Sequence, residues 1–142
     1  MRGKLEESIR RLGLIEHVRL VGQKLYEQMP TWHAAADVLL HTSQHEGFGN
    51  AVAEASSCAR PVVASRVDAI PEVVLEGKSG LLVNHDDVDG FADALIKLLS
   101  NKSLSESMGN AGRSHLVKNF SWSAHTKIML EMYRSVLKAS CP

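Results

Sequence analysis

Two glutamates with seven residues between them, Glu46 and Glu54, flank the turn Gly47-Phe48-Gly49 in the stretch His41–Pro61, HTSQHEGFGNAVAEASSCARP. An ionised carboxylate offers lone pairs only, so each acid is an acceptor for two O–H donors, such as those of a vicinal diol. Gly47 and Gly49 let the backbone turn sharply into a helix that carries Glu54. The start of such a helix points unpaired N–H groups and the positive end of its dipole outward, which suits a phosphate. Carboxylates repel phosphate, so acids beside a phosphate site are best used on neutral hydroxyls. A ligand that combines phosphate with sugar hydroxyls, a nucleotide-sugar, meets both demands. Asn50 either caps the helix or adds a hydrogen bond to the ligand. Taken alone, EGFG before a helix more often means a turn with a cap.

The surrounding elements must hold that turn. Leu5, Ile9 and Leu12 recur at helical spacing and Gly13 follows, which predicts a helix over 3–12. Val18–Val21 reads as a short strand closed by Gly22, and Lys24–Ala36 as a helix kinked near Pro30. Strands are expected at Asp37–His41, Pro61–Ser65 and Gly80–Val83, with helices at Asn50–Ala59 and, opened by Pro71, at Ile70–Leu75. The nearly continuous apolar run Pro61–Ser65 predicts burial on both faces. Val88–Leu99 places Phe91, Leu95, Leu98 and Leu99 on one helix face, with Asp86 or Asp87 as N-cap. Helices over 103–119 and 123–138 follow, joined at Phe120-Ser121-Trp122, with Trp122 read as a packing residue. Strands alternating with helices predict an α/β, doubly wound, Rossmann-like parallel sheet of about four strands.

A chain of 142 residues with 44% hydrophobic residues fits one domain with a real core. The formal net charge of zero gives no reason to expect nucleic acid as a partner. Cys58 and Cys141 form no CxxC pair and read as free thiols of a reducing cytoplasm. No apolar run reaches the roughly 20 residues of a membrane span and no signal peptide is read at the start, so the sequons at Asn101 and Asn119 read as chance, since glycosylation requires secretion. His41 and His45 have the spacing of a zinc pair on a helix, but they straddle a strand end and a loop, and no HExxH is present; no metal is expected. Neither a G-x-S-x-G elbow nor a P-loop occurs. Two rival readings are a non-catalytic nucleotide-binding or signalling module and a nucleotide-sugar epimerase of the same fold.

Beyond the glutamate pair, Pro-Val-Val-Ala-Ser (Pro61–Ser65), Ile-Pro-Glu (Ile70–Glu72) and Glu-Gly-Lys-Ser-Gly-Leu-Leu-Val (Glu76–Val83) follow in one order. Together, from about Lys4 to Trp122, they resemble the C-terminal donor domain of retaining glycosyltransferases with the GT-B fold, the group 1 glycosyltransferases. The resemblance implies metal-independent hexosyl transfer from a nucleoside-diphosphate sugar such as a UDP-sugar, as in polysaccharide biosynthesis, with no cofactor. It assigns Glu46 to the donor sugar as the catalytic-site acid and Glu54 to the ribose. It sets the backbone of Gly47, Phe48 and Gly49 against sugar and diphosphate, and the Val21-Gly22-Gln23 turn near the base.

Several family features differ. The small-residue run after the second glutamate reads Ala55-Ser56-Ser57-Cys58-Ala59, and Asp68-Ala69 replaces a Gly-Gly before Ile-Pro-Glu. Asp68 thereby puts a charge where a glycine-lined backbone would approach the donor. No Gly-Arg and Lys match the family's diphosphate-neutralising pair, and the acceptor-binding N-terminal domain has no counterpart. Residues 1–142 therefore read as one incomplete domain, inactive alone. It would be cytoplasmic, or membrane-peripheral through the missing domain. The two missing strands would lie between Val18–Val21 and Asp37–His41, exposing Val38, Leu40, Val62 and Val63 unless those strands close up or a second copy makes a dimer through the open edges.

Overall fold

The computed structural model describes residues 2–139. Its centre is the apolar run after Pro61. Small and β-branched residues there form strand β2 (Val62–Ser65), in which every residue is buried. It is flanked in parallel by β1 (Leu39–His41) and β3 (Gly80–Val83), giving the order β1-β2-β3. Leu39 pairs with Val62 and Val62 with Gly80, so the three strands end together and their C-terminal loops share one rim. Parallel strands require crossover connections, and helices α3 (Asn50–Ser57) and α4 (Ile70–Val73) occupy them.

Alternation along β2 sends side chains into two cores. Val62 and Ala64 pack with Val52 and Ala55 of α3, with Ile70 and Val73 of α4, and with Leu116. Val63 faces Phe91, Ala94 and Leu98 of α5 (Val88–Leu99) and Met108 of α6 (Lys102–Phe120). Each fully buried Val, Leu or Ile contributes about 1.5–3 kcal/mol of apolar burial. Gly109 lets α6 cross this close: a Cβ there would lie 2.1 Å from the Ala59 carbonyl oxygen. Asp87 caps α5, its carboxylate accepting from the Gly90 N–H, and Asn101 caps α6 by accepting from Leu104. The final helix, α7 (Trp122–Ala139), leaves Ile128, Tyr133 and Val136 exposed.

The sheet has three strands rather than about four, because Val18–Val21 is irregular coil and neither closes on β1 nor pairs elsewhere among the described residues. Strand backbone needs a neighbouring strand for its polar groups; here the Val18 N–H donates to the Leu14 carbonyl and the Leu20 carbonyl accepts from Arg2 instead. Val18 and Val21 are 40% and 41% exposed. Amides 19–21 are accordingly expected to exchange with deuterium far faster than those of β2; protection comparable to β2 would show that this run does pair. Direct closure is also unnecessary for the core, since Val62 and Val63 are fully buried under helices and only Leu40 is left open on β1.

Other boundaries shift for local reasons. Pro30 opens a helix instead of kinking one: a single 3₁₀ turn, Tyr26–Gln28, precedes α2 (Met29–Ala35), in line with the tolerance of proline in a first helical turn. The first helix, α1 (Arg2–Arg11), buries no residue. On α5, Ala94 takes the inward place and Leu99 is exposed. Trp122 is 86% exposed, so the packing role read for it fails: it opens α7 outside the core. Cys58 is a half-buried free thiol, and Cys141 lies outside the described residues. Among those residues no helix is long and apolar enough to cross a membrane.

Candidate functional site

The turn between β1 and α3 is shaped by Gly49, which adopts φ 89° and ψ 52° at the cap position of α3. Asn50 is then the first helical residue and does not cap. With Gly49 capping through its backbone alone, the amides of residues 50–52 have no acceptor within the helix, and they point beyond its N-terminus. They form the anion-attracting feature expected from the sequence. Gly47 has no such conformational demand, and a Cβ there would meet nothing within 4 Å.

Glu46 is fixed from two sides. Its Oε1 accepts the Gly49 N–H at 3.2 Å, and Oε2 lies 3.0 Å from Nε2 of His41, the last residue of β1. A carboxylate only accepts, so that ring nitrogen carries the hydrogen of this contact. Each carboxylate oxygen retains a lone pair for a ligand hydroxyl. The Glu46 N–H donates to Asp68 Oδ2 at 2.8 Å, tying the loop after β1 to the loop after β2. His45 turns toward the same Asp68 oxygen at 3.7 Å rather than toward His41, so the two histidines do not converge. Among the described residues no group of three or more His, Cys, Asp and Glu is arranged to hold a metal ion.

Glu54, one turn into α3, is half-buried, with Oε2 3.4 Å from Nε2 of His33 on α2. His33 is buried, and its pairing with Glu54 across 21 positions left no signal in the linear sequence. Glu54 opens onto a cleft of about 740 Å³ between α2, α3 and the α6–α7 junction, lined also by Tyr26, Phe48, Asn50, Phe120 and Trp122. That volume falls in the range of about 300–1,000 Å³ usual for small-molecule sites. The Phe48 ring packs on Phe120 at 5.6 Å between centroids, so aromatic contact fixes one wall. The structure thus gathers Phe48, Asn50 and Glu54 around one cleft. Glu46 lies outside that lining, with His41 and Asp68, at the sheet rim beyond the Gly47–Gly49 turn.

The arrangement can therefore hold an anion at the start of α3, a polyol at Glu46 and a second hydroxyl-bearing group at Glu54. Residues 1–115 match the family described as glycosyl transferases group 1. The chain is 37% identical over 132 residues to D-inositol 3-phosphate glycosyltransferase of Corynebacterium urealyticum, covering 93% of this chain and 31% of that protein. It is 38% identical over 118 residues to the GDP-mannose-dependent alpha-(1-6)-phosphatidylinositol monomannoside mannosyltransferase of Mycolicibacterium smegmatis, covering 78% of this chain and 31% of that protein. This chain thus spans about a third of the length of these relatives. Among solved structures, sucrose-phosphate synthase from Thermosynechococcus elongatus superposes with a TM-score of 0.86 at 31% identity, over 98% of this chain and 35% of that one. Anabaena HepE in complex with UDP superposes with a TM-score of 0.86 at 25% identity, over 94% of this chain and 36% of that one. With a family match over most of its length and the same α/β fold in these solved structures, the chain belongs to the group 1 glycosyltransferases.

Proposed function

We propose that this chain is the donor-binding domain of a retaining glycosyltransferase and binds a nucleoside-diphosphate sugar at the rim formed by β1, α3 and the loop after β2. The observation that carries this reading is the Glu46 carboxylate, oriented by His41 and the Gly49 N–H directly beside the free amides of α3. The diphosphate lies on those amides, and the sugar presents hydroxyls to Glu46. The ribose reaches Glu54, which the His33 contact holds toward the cleft. A complex of HepE with UDP supports the choice of ligand class, since that protein shares this fold. Leaving-group stabilisation and acceptor binding would come from outside residues 1–142, supplied by the longer chain seen in the relatives.

The two glutamates carry separable expectations. Glu54→Ala should weaken free UDP or GDP and the intact donors UDP-glucose or GDP-mannose alike, because the ribose is common to all. Glu46→Ala should weaken only the intact donors. Each lost charged hydrogen bond is worth about 1.5–3 kcal/mol, roughly ten- to a hundredfold in affinity. Calorimetry on both variants checks this; equal losses for nucleotide and donor in both would refute the division of roles.

A further inference from the structure

Asp68 is, among the described residues, the charged side chain bonded to the backbone of Glu46, and it is held there under conformational strain. Its φ of +42° is a left-handed conformation that L side chains adopt rarely, Asp and Asn more readily than most. Oδ2 accepts the Glu46 N–H at 2.8 Å, so the Asp68 carboxylate is anchored within one residue's reach of the Glu46 side chain. Half of that side chain is exposed, which leaves its remaining lone pairs facing the rim.

On the Glu46 side the neighbour of this pair of acids is an imidazole, His41, with Nε2 3.0 Å from Glu46 Oε2. Among the described residues no lysine or arginine makes an ion pair or hydrogen bond with Glu46 or Asp68. Arg66, two positions away, is engaged by Glu76 at 2.6 Å and by the Leu82 carbonyl. His45 is 3.7 Å from Asp68 with its side chain 91% exposed, where solvent screens what charge it carries.

We infer that Asp68 determines donor specificity by charge: together with Glu46 it admits uncharged sugars and rejects sugars that carry a carboxylate. This rests on the donor-site reading above and adds the sugar class to it. A hydroxyl arriving at the rim finds acceptors. A sugar carboxylate finds two like charges and, among the described residues, no lysine or arginine paired with them; His41, its Nε2 3.0 Å from Glu46 Oε2, is already turned to that carboxylate. At a separation of about 6 Å and an effective dielectric near 40, one such repulsion amounts to roughly a tenfold loss in affinity. The resemblance to the family places glycine at this position, so the charge filter is a property of this chain.

The test titrates the chain with UDP-glucose against UDP-glucuronate, with GDP-mannose against GDP-mannuronate, and with UDP and GDP alone. Wild type should prefer the neutral sugar at least about tenfold for whichever nucleotide binds. Asp68→Asn keeps an oxygen acceptor for the Glu46 N–H and tolerates the same backbone, but removes the charge. It should cut that preference at least threefold. Because the readout is a ratio within one variant, a general loss of fold or of nucleotide affinity cancels. An unchanged ratio in Asp68→Asn, or no preference in wild type with UDP or GDP still bound, overturns the charge filter and leaves the donor site standing. Absence of any UDP or GDP binding overturns both.

Discussion

Gly49→Ala is expected to destabilise the fold by about 3 kcal/mol and to abolish measurable donor binding, whereas Gly47→Ala should stay within about 0.5 kcal/mol of wild type. At φ 89° a side chain costs about 1–2 kcal/mol. The new Cβ would lie 2.5 Å from Ile70 Cδ1, a side chain with no exposure and little room to give, and overpacking of that kind costs about 1–3 kcal/mol more. The same shift displaces the Gly49 N–H from Glu46 and tilts the first turn of α3, so affinity falls beyond what stability alone explains. Urea denaturation of both variants, with UDP-glucose and GDP-mannose titrations of the folded fraction, checks the pair. A Gly49→Ala protein of wild-type stability would show that the turn is not held as described.

The isolated chain is expected to turn over no donor on any simple acceptor. Losing a single preorganised donor to a developing charge typically costs about 10²–10³ in rate, and the two bases that neutralise the leaving diphosphate in the resembled family have no match here. Several bases among the described residues are committed elsewhere. Arg66 is tied to Glu76, Lys24 lies 5.0 Å over the Trp32 ring, and Arg60 bonds the Ala36 carbonyl at the opposite end of the sheet. Orientation of an acceptor is a further large contribution, and the relatives devote some two thirds of their length to parts outside the region matched here. The rate should therefore fall at least roughly four orders of magnitude below that of the chain fused to the upstream region of a matched relative. Transfer of radiolabelled sugar from UDP-glucose and GDP-mannose measures both. Turnover by the isolated chain at a rate near that of the fusion would show an independent enzyme.

The family and the positions of the principal helices and of β1–β3 were legible because they depend on patterns local in the chain: the apolar run at Pro61–Ser65, the helical spacing in 88–99, and glycines and acids at fixed offsets around Glu46. Asp87 as a cap was one of the two candidates the sequence offered, and the structure selects it. What failed depended on partners distant in sequence. Val18–Val21 has strand-like residues but, among the described residues, no neighbouring strand to complete it. Trp122 is apolar, yet no surface comes to cover it.

Within the site, residue types announced the chemistry of Glu46 and Glu54, but not what orients them. His41, read as half of a weak metal pair, is the partner of Glu46; His33 carried no reading at all; Asp68 was noticed for its charge, not for its bond to the Glu46 amide. The two turn glycines looked equivalent, and only Gly49 is required by its backbone and its contact with Ile70. Acceptor capacity belongs to a side chain wherever it stands, so the sequence determines it. Orientation, strain and burial arise only when β1, β2 and α3 close on one another, so the tertiary structure decides them.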